Sequence, residues 1–273
     1  MKKFGKLFIA SAILFGIGVV LTVFGAVLGA FKQHETISQD YLVETPYDAI
    51  EIETTACEVV IVQERRDTTL VSYTIPSSAQ VSVYTKDNIL HIEQNERFFP
   101  FYQTRLITLT MPEREIPVSV ESDAAAIKIR DGALSDCTLD TNAGAIHIEN
   151  CSFRSLSVDT DAGATNIQSA NIENRLHIES NAGAVKLKNV TANAIEISTN
   201  AGAIEGKQIA ADTVIASTDL GAIELNILGV KADYTIRADV GLGSQNVSDQ
   251  TGRTDKLLEL KADLGSVKVT FSD

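Results

Sequence analysis

The chain has 273 residues, a formal net charge of −13, and 44% hydrophobic against 22% charged residues. That balance fits a folded protein and excludes a disordered one, and the surplus of acid excludes nucleic acid as a partner, because phosphate would be repelled. Trp is absent and aromatics make up 6% of the chain, so the core has to be built from Ile, Val, Leu and Ala.

Residues 7–31, Leu7 to Phe31, run for 25 positions without a charge. About 20 helical residues cross a hydrocarbon layer of about 30 Å, so this run predicts one transmembrane α-helix. A cleaved signal peptide would carry a shorter apolar stretch and a small-residue exit. Lys2, Lys3 and Lys6 precede the run with no acid among them. The positive-inside rule then places residues 1–6 in the cytoplasm and everything beyond the helix outside. The expected location is the cell membrane, single-pass, with an extracytoplasmic C-terminal part. All 36 acidic residues lie beyond Phe31, which holds that part off anionic lipid. Gly25 and Gly29 form a GxxxG pair through which two helices can pack as a homodimer, although Gly is common in membrane helices for other reasons.

Residues 32–46 read as a linker, and 47–118 as an N-terminal β region that forms a first coil and caps an open end. Within it Ala49–Glu53 alternates, Thr55–Ile61 resembles a worn corner and strand, and Val81–Gln94 predicts a hairpin turning near Asp87 and Asn88.

Residues 119–273 are repetitive. A corner motif recurs at Asp123, Asn142, Asp161, Asn181, Asn200, Asp219, Asp239 and Asp263, with steps of 19, 19, 20, 19, 19, 20 and 24 residues. Four copies read Asx-Ala-Gly-Ala, and the corner glycines are Gly144, Gly163, Gly183, Gly202, Gly221, Gly241 and Gly265. Around each corner apolar residues alternate with polar ones, the pattern of a half-buried strand. Stacking the copies gives apolar columns. One reads Ile127, Ile146, Thr165, Val185, Ile204, Ile223, and a second Ile129, Ile148, Ile167, Leu187, Gly206, Leu225. A third reads Leu139, Val158, Ile178, Ile197, Ala216, Ile236, and a fourth Cys137, Leu156, Leu176, Ile195, Val214, Tyr234. Columns at this period predict an all-β fold, a parallel β-solenoid (β-helix) of about 19-residue coils. Coils stack about 4.8 Å apart, so eight corners span roughly 34 Å. Gly at the corner supplies φ > 0 and close backbone approach. Asn and Asp bond locally to the turn and form a coil-to-coil ladder. Gln245–Lys256 reads as a polar inserted loop, and Val267–Phe271 as the closing strand of the far end.

At this point the residues resemble a family. Tyr47-Asp48-Ala49-Ile50-Glu51-Ile52, the turn Thr55-Ala56-Cys57-Glu58-Val59, the aromatic run Phe98-Phe99-Pro100-Phe101-Tyr102 and the strand Leu106–Pro112 ahead of the repeats are similar to the bacterial "putative adhesin" β-solenoid domains of unknown function. That group includes LiaG-like, membrane-anchored proteins associated with cell-envelope stress. The resemblance covers about residues 47–273 and implies an adhesin-like envelope role with no catalytic motif. The Asx-Ala-Gly-Ala corner departs from the Ser-Gly-Asp-type turns expected there.

Candidate sites are few. Asp219, Asp239 and Asp263 could stack as a Ca²⁺ ladder, but the glycine-rich nonapeptide of calcium-binding solenoids is missing, and turn-capping is the simpler role. His34, His91, His147 and His177 lack ligand spacing. Cys57, Cys137 and Cys151 are an odd set; the latter two occupy core columns and read as small packing residues. Phe98, Phe99, Phe101 and Tyr102 form either a partner contact or a cap over the solenoid end. Outward acids are plentiful, yet glycan cleavage needs two carboxylates across a cleft, and steps of 19 or 20 residues leave little loop to wall one. The expectation is therefore no enzyme, no metal and no cofactor. The expected function is a non-enzymatic module that engages an envelope protein or wall polymer, with a self-assembling filament and a polysaccharide-degrading β-helix as the alternatives.

Overall fold

The computed structural model describes residues 35–95 and 104–272. The expected membrane segment with Gly25 and Gly29, His34, and the aromatic cluster Phe98, Phe99, Phe101 and Tyr102 lie outside the described residues. Among the described residues no helix is long and apolar enough to cross a membrane.

A single 15-stranded sheet winds through the molecule. In chain order it begins β1 (Thr36–Val43), β2 (Ala49–Thr54), β3 (Glu58–Glu64), β4 (Thr69–Pro76), β5 (Gln80–Lys86), β6 (Ile89–Asn95), β7 (Leu106–Pro112) and β8 (Val118–Ser122). It continues with β9 (Ile127–Ala143), β10 (Ile146–Ala162), β11 (Thr165–Ala182), β12 (Val185–Ala201), β13 (Ile204–Leu228), β14 (Tyr234–Gln245) and β15 (Lys256–Ser272).

Strands β9 to β12 are each a full coil, stacked in parallel register on its neighbours. A coil has three straight runs, which in β10 are 146–149, 151–153 and 155–162. The bend after the first run is made by one residue per coil in the left-handed region: Asp131, Asn150, Ser169, Asn189 and Gln208, with φ of 53–56°. Asn and Asp tolerate that conformation because their short side chains bond locally. A bulge between Ile172 and Arg175 gives β11 one residue more than β10, which accounts for the 20-residue step from Asp161 to Asn181.

The inward residues form the core. Ile127, Ile146, Thr165, Val185 and Ile204 stand in one column, each fully buried. Ile129, Ile148, Ile167, Leu187 and Gly206 form the next. Burying a side chain of this size is worth about 1.5–3 kcal/mol. Because its neighbours lie in adjacent coils, that gain exists only in the stack.

Both ends depart from sequential winding. At the first end, β2 and β3 form an inner coil, while β6 and β7, later in sequence, lie outside it on β2 and β3. β8 then returns to the other side of β2. β5 joins β6, β4 joins β7 and β1 joins β4, all antiparallel. The hairpin turns at Asp87 and Asn88, both at positive φ, as the sequence suggests. Thr36–Val43, expected as linker, is the edge strand β1; its exposed alternation carries little burial signal, so only the pairing with β4 defines it.

At the far end the spatial order is β13, β15, β14. The chain leaves β13, skips one level to build β14, and comes back as β15 to fill the gap. Val267–Phe271 therefore lies inside, on β13, and β14 is the edge. The register corrects the columns too. Ala216 stacks on Leu260 and then Ala238, and Val214 on Leu258 and then Ile236. Ile236 thus belongs to the fourth column rather than the third, and Tyr234 stands opposite Lys256. The slip is two residues, which preserves the in–out alternation and so escapes a pattern test.

Candidate interaction surface

The corner ladder lies along one edge of the shaft. Asn142 Nδ2 donates to Asp123 Oδ1 at 3.1 Å. Asn181 Nδ2 donates to Asp161 Oδ1 at 2.5 Å, and Asn200 Nδ2 to Asn181 Oδ1 at 2.8 Å. Each of these amides donates to an oxygen of the rung before it, and the Asn rungs stand between the acids Asp123, Asp161 and Asp219 and so separate their charges. Asp219 and Asp263 stand on adjacent rungs, between the paired positions Thr218–Ala262 and Leu220–Leu264. Lys261 Nζ lies 3.1 Å from Asp263 Oδ1, and its pKa is raised by that hydrogen bond and then by the charges of Asp263, Asp219 and Asp239. Asp239 pairs with Lys261, two residues out of the ladder, so the three aspartates do not form one stack.

The corner glycines have a steric reason. At Gly144, Gly163, Gly183, Gly202 and Gly221 a Cβ would lie within 1.8–2.0 Å of the preceding coil's carbonyl oxygen. None of these five has positive φ, so close approach alone excludes a side chain, and the conformational reason expected from sequence does not apply. In β14 the column is continued by Gly243, which pairs with Gly265, while Gly241 stands over Asp263. The sequence carried a signal for this: Leu220-Gly221, Leu242-Gly243 and Leu264-Gly265 are the dipeptides that share a register.

Two further columns were not anticipated. Inside the corner, Ser122, Thr141, Thr160, Ser180, Thr199 and Thr218 stack as buried hydroxyls. Thr218 Oγ1 donates to Gly202 O at 3.1 Å. Outside, Glu93, Glu53, Glu121, Asp140, Asp159 and Glu179 stand in one register column. Like charges on neighbouring strands repel. The Asp159 carboxyl is held above the ordinary range first by burial and then by Asp140, Glu179 and Asp161.

Other candidates are placed as follows. His147 is exposed. His177 Nε2 lies 3.1 Å from Glu179 Oε1, and Glu196 bridges His177 and Arg175. His91 Nδ1 is 3.2 Å from Glu51 and stacks on Tyr84. Cys57, Cys137 and Cys151 are all buried; burial pushes the Cys137 thiol up, and that of Cys151 up to about 11. Thiols so held are packing groups, not nucleophiles. Among the described residues no cluster of three or more His, Cys, Asp or Glu is placed to hold a metal ion. A hollow of about 650 Å³ lies beside β1 and includes Leu42, Glu44, Asp67 and Arg114, whose guanidinium stacks 4.0 Å over Tyr47.

A family model described as Toastrack DUF4097 matches residues 47–272. The chain belongs to the Toastrack family. The fold agrees with solved structures. A "putative adhesin" from Parabacteroides distasonis superposes with a TM-score of 0.61 at 14% identity, covering 87% of this chain and 98% of that one. Another from Bacteroides fragilis gives 0.57 at 17% identity, covering 86% and 97%. Identities this low show a shared fold. No curated protein matches the chain in sequence.

The exposed apolar side chains of this Toastrack protein have an uneven distribution. Among the described residues the large ones are Ile37, Tyr41, Leu42 and Tyr84 at the first end, and Leu220, Val230, Leu242 and Leu264 at the other. The coils β9 to β12 contribute none to that set. Leu220, Leu264 and Leu242 stand in register as a ridge of three, and Leu242 is 71% exposed. The same column in the shaft is Ala143, Ala162, Ala182 and Ala201.

Proposed function

We propose that this Toastrack protein is a membrane-anchored, extracytoplasmic rod that serves as a non-enzymatic interaction module of the bacterial cell envelope, in the adhesin-like and envelope-stress setting its resemblance implies. Residues 7–31 anchor it with the N-terminus inside, and Gly25 and Gly29 would pair two anchors. The observation that carries the reading is the ridge of Leu220, Leu264 and Leu242, contiguous exposed apolar surface at the end of an otherwise polar shaft. Such patches mark contact with a partner, here an envelope protein or wall polymer. The aromatic run Phe98–Tyr102, between β6 and β7, is the second proposed contact. The non-enzymatic part is supported by the winding, since coils that bend at single residues and are joined by two-residue corners have little loop with which to wall a cleft.

A photo-crosslinker at Leu242 or Phe99, compared with one at His147 on the shaft, tests this in cells. The reading expects one discrete adduct from Leu242 or Phe99 and none from His147; identical smears from all positions, or none from any, would sink it. A second reading, end-to-end filaments, is favoured by the edge positions of β1 and of the 240–245 half of β14, the other half being covered by Asp249, Gln250 and Gly252. Concentration-dependent light scattering lost on Leu242→Lys would select it.

A further inference from the structure

We infer that the β1–β5 end of the rod is seated on the extracytoplasmic face of the bilayer, with Ile37, Tyr41, Leu42 and Tyr84 in the headgroup layer, so that the rod stands end-on and the leucine ridge points away. The inference rests on the anchored reading of residues 7–31. Its own support is the position of the exposed groups and the length of chain that precedes them.

Only Lys32, Gln33, His34 and Glu35 separate Phe31 from Thr36, the first residue of β1. Fully extended, that tether reaches about 17 Å, and the headgroup layer on each side of the hydrocarbon takes up about 5–8 Å of it. Thr36 is thereby held within roughly 10 Å of the membrane surface. β1 and β5 are the strands that edge this end of the sheet, each paired on one side, to β4 and to β6. The tether thus delivers an end of the rod to the lipid.

The chemistry of that end fits lipid headgroups. Ile37, Tyr41, Leu42 and Tyr84 are 43%, 43%, 48% and 38% exposed, all on these two strands. Tyr is at home at the membrane–water boundary, where its ring and hydroxyl meet both phases. The unpaired backbone edge of β1 excludes deeper insertion, since unsatisfied N–H and C=O groups are costly in hydrocarbon. Glu35, Asp40 and Glu44, on or beside β1, also keep the contact shallow and favour zwitterionic over anionic lipid. Glu93 accepts from the Tyr84 hydroxyl and so meets the headgroup layer at the rim of the seat; lying on its flank would instead press the rest of that column, Glu53, Glu121, Asp140, Asp159 and Glu179, or the other polar faces, against the membrane.

The chain has no Trp, so single-Trp probes report without background. Full-length Leu42→Trp, Tyr84→Trp and His147→Trp proteins, reconstituted in phosphatidylcholine vesicles with brominated acyl chains, provide the test. The expected result is blue-shifted emission and strong quenching at positions 42 and 84, with His147→Trp unaffected. If the protein floats with vesicles but positions 42 and 84 are no more quenched than 147, the seating is wrong and the anchor stands. If the protein does not float with vesicles, the anchored reading fails and this inference with it. Emission at 42 and 84 that shifts with protein concentration but not with brominated lipid would assign the end to a second copy of the chain and overturn the membrane contact.

Discussion

Gly183 and Gly132 sit in the same winding and obey different rules. A Cβ on Gly183 would lie 1.8 Å from Gly163 O, which is backbone and cannot yield without moving the coil. At Gly132 the nearest atom is in the Gln63 side chain at 3.4 Å, an ordinary contact distance, and the register neighbour is already Cys151. Gly183→Ala is expected to cost about 3 kcal/mol, and Gly132→Ala within about 0.5 kcal/mol, as read from thermal or denaturant melts. Equal effects would refute the steric account of the corners. Thr165 makes the opposite case. It is fully buried between Ile146 and Val185, and its hydroxyl has no hydrogen-bond partner. Thr165→Val is nearly isosteric and removes that unsatisfied group, so stability should rise by about 1 kcal/mol. The inward period made this column legible in the sequence. The hydroxyl's lack of a partner was not, because that depends on which carbonyls lie within reach once the coils stack.

At the scale of elements, the acidic column and the exchanged strands make separate predictions. Asp159 binds its proton more tightly in the folded protein, for the burial and neighbouring carboxylates described above. A group with a raised folded pKa adds stability at low pH, and that contribution is lost as pH rises through the folded value. At neutral pH the Asp159 charge therefore works against the fold. Asp159→Asn should melt higher than the parent at neutral pH, and the difference should shrink as pH falls through the carboxylate range. A constant offset at every pH would point to packing instead. The exchange of β14 and β15 is tested by truncation after Asp255. Among the described residues β14 has β15 as its only partner strand, beside a bridge from Ile236 to Gln250, so deleting β15 should leave 229–255 open to trypsin at Lys231 and Arg237 while β9–β12 stay protected. Had the coils followed sequence order, β14 would lie on β13 and survive. The sequence concealed this because a two-residue slip keeps every apolar side chain on the inner face.

As a whole, the molecule is a rod of eleven strands in line, roughly 48 Å long at about 4.8 Å per strand. Its flanks are polar, and its exposed large apolar side chains gather at the ends. At both ends the outermost strand comes earlier in sequence than the strand it covers, β1 before β4 and β14 before β15. The leucine ridge contributes little to the core, being exposed. Leu242→Ser is expected to leave the melting temperature within about 0.5 kcal/mol equivalent of the parent while abolishing the crosslink from the far end. Loss of stability on a par with a core substitution would instead make the ridge structural.

By itself the amino-acid order determined the coil, the inner columns and the polar corner, because each is a repeat of side-chain chemistry at a fixed period and every coil meets the same neighbours. Tertiary structure alone decided what happens where the repeat stops. It set which strand fills the gap beside β13, which glycine completes the column, that Thr36–Val43 is an edge strand, and that six carboxylates from separate segments align. Those features depend on pairing between stretches far apart in the chain, and local periodicity says nothing of a partner it does not contain.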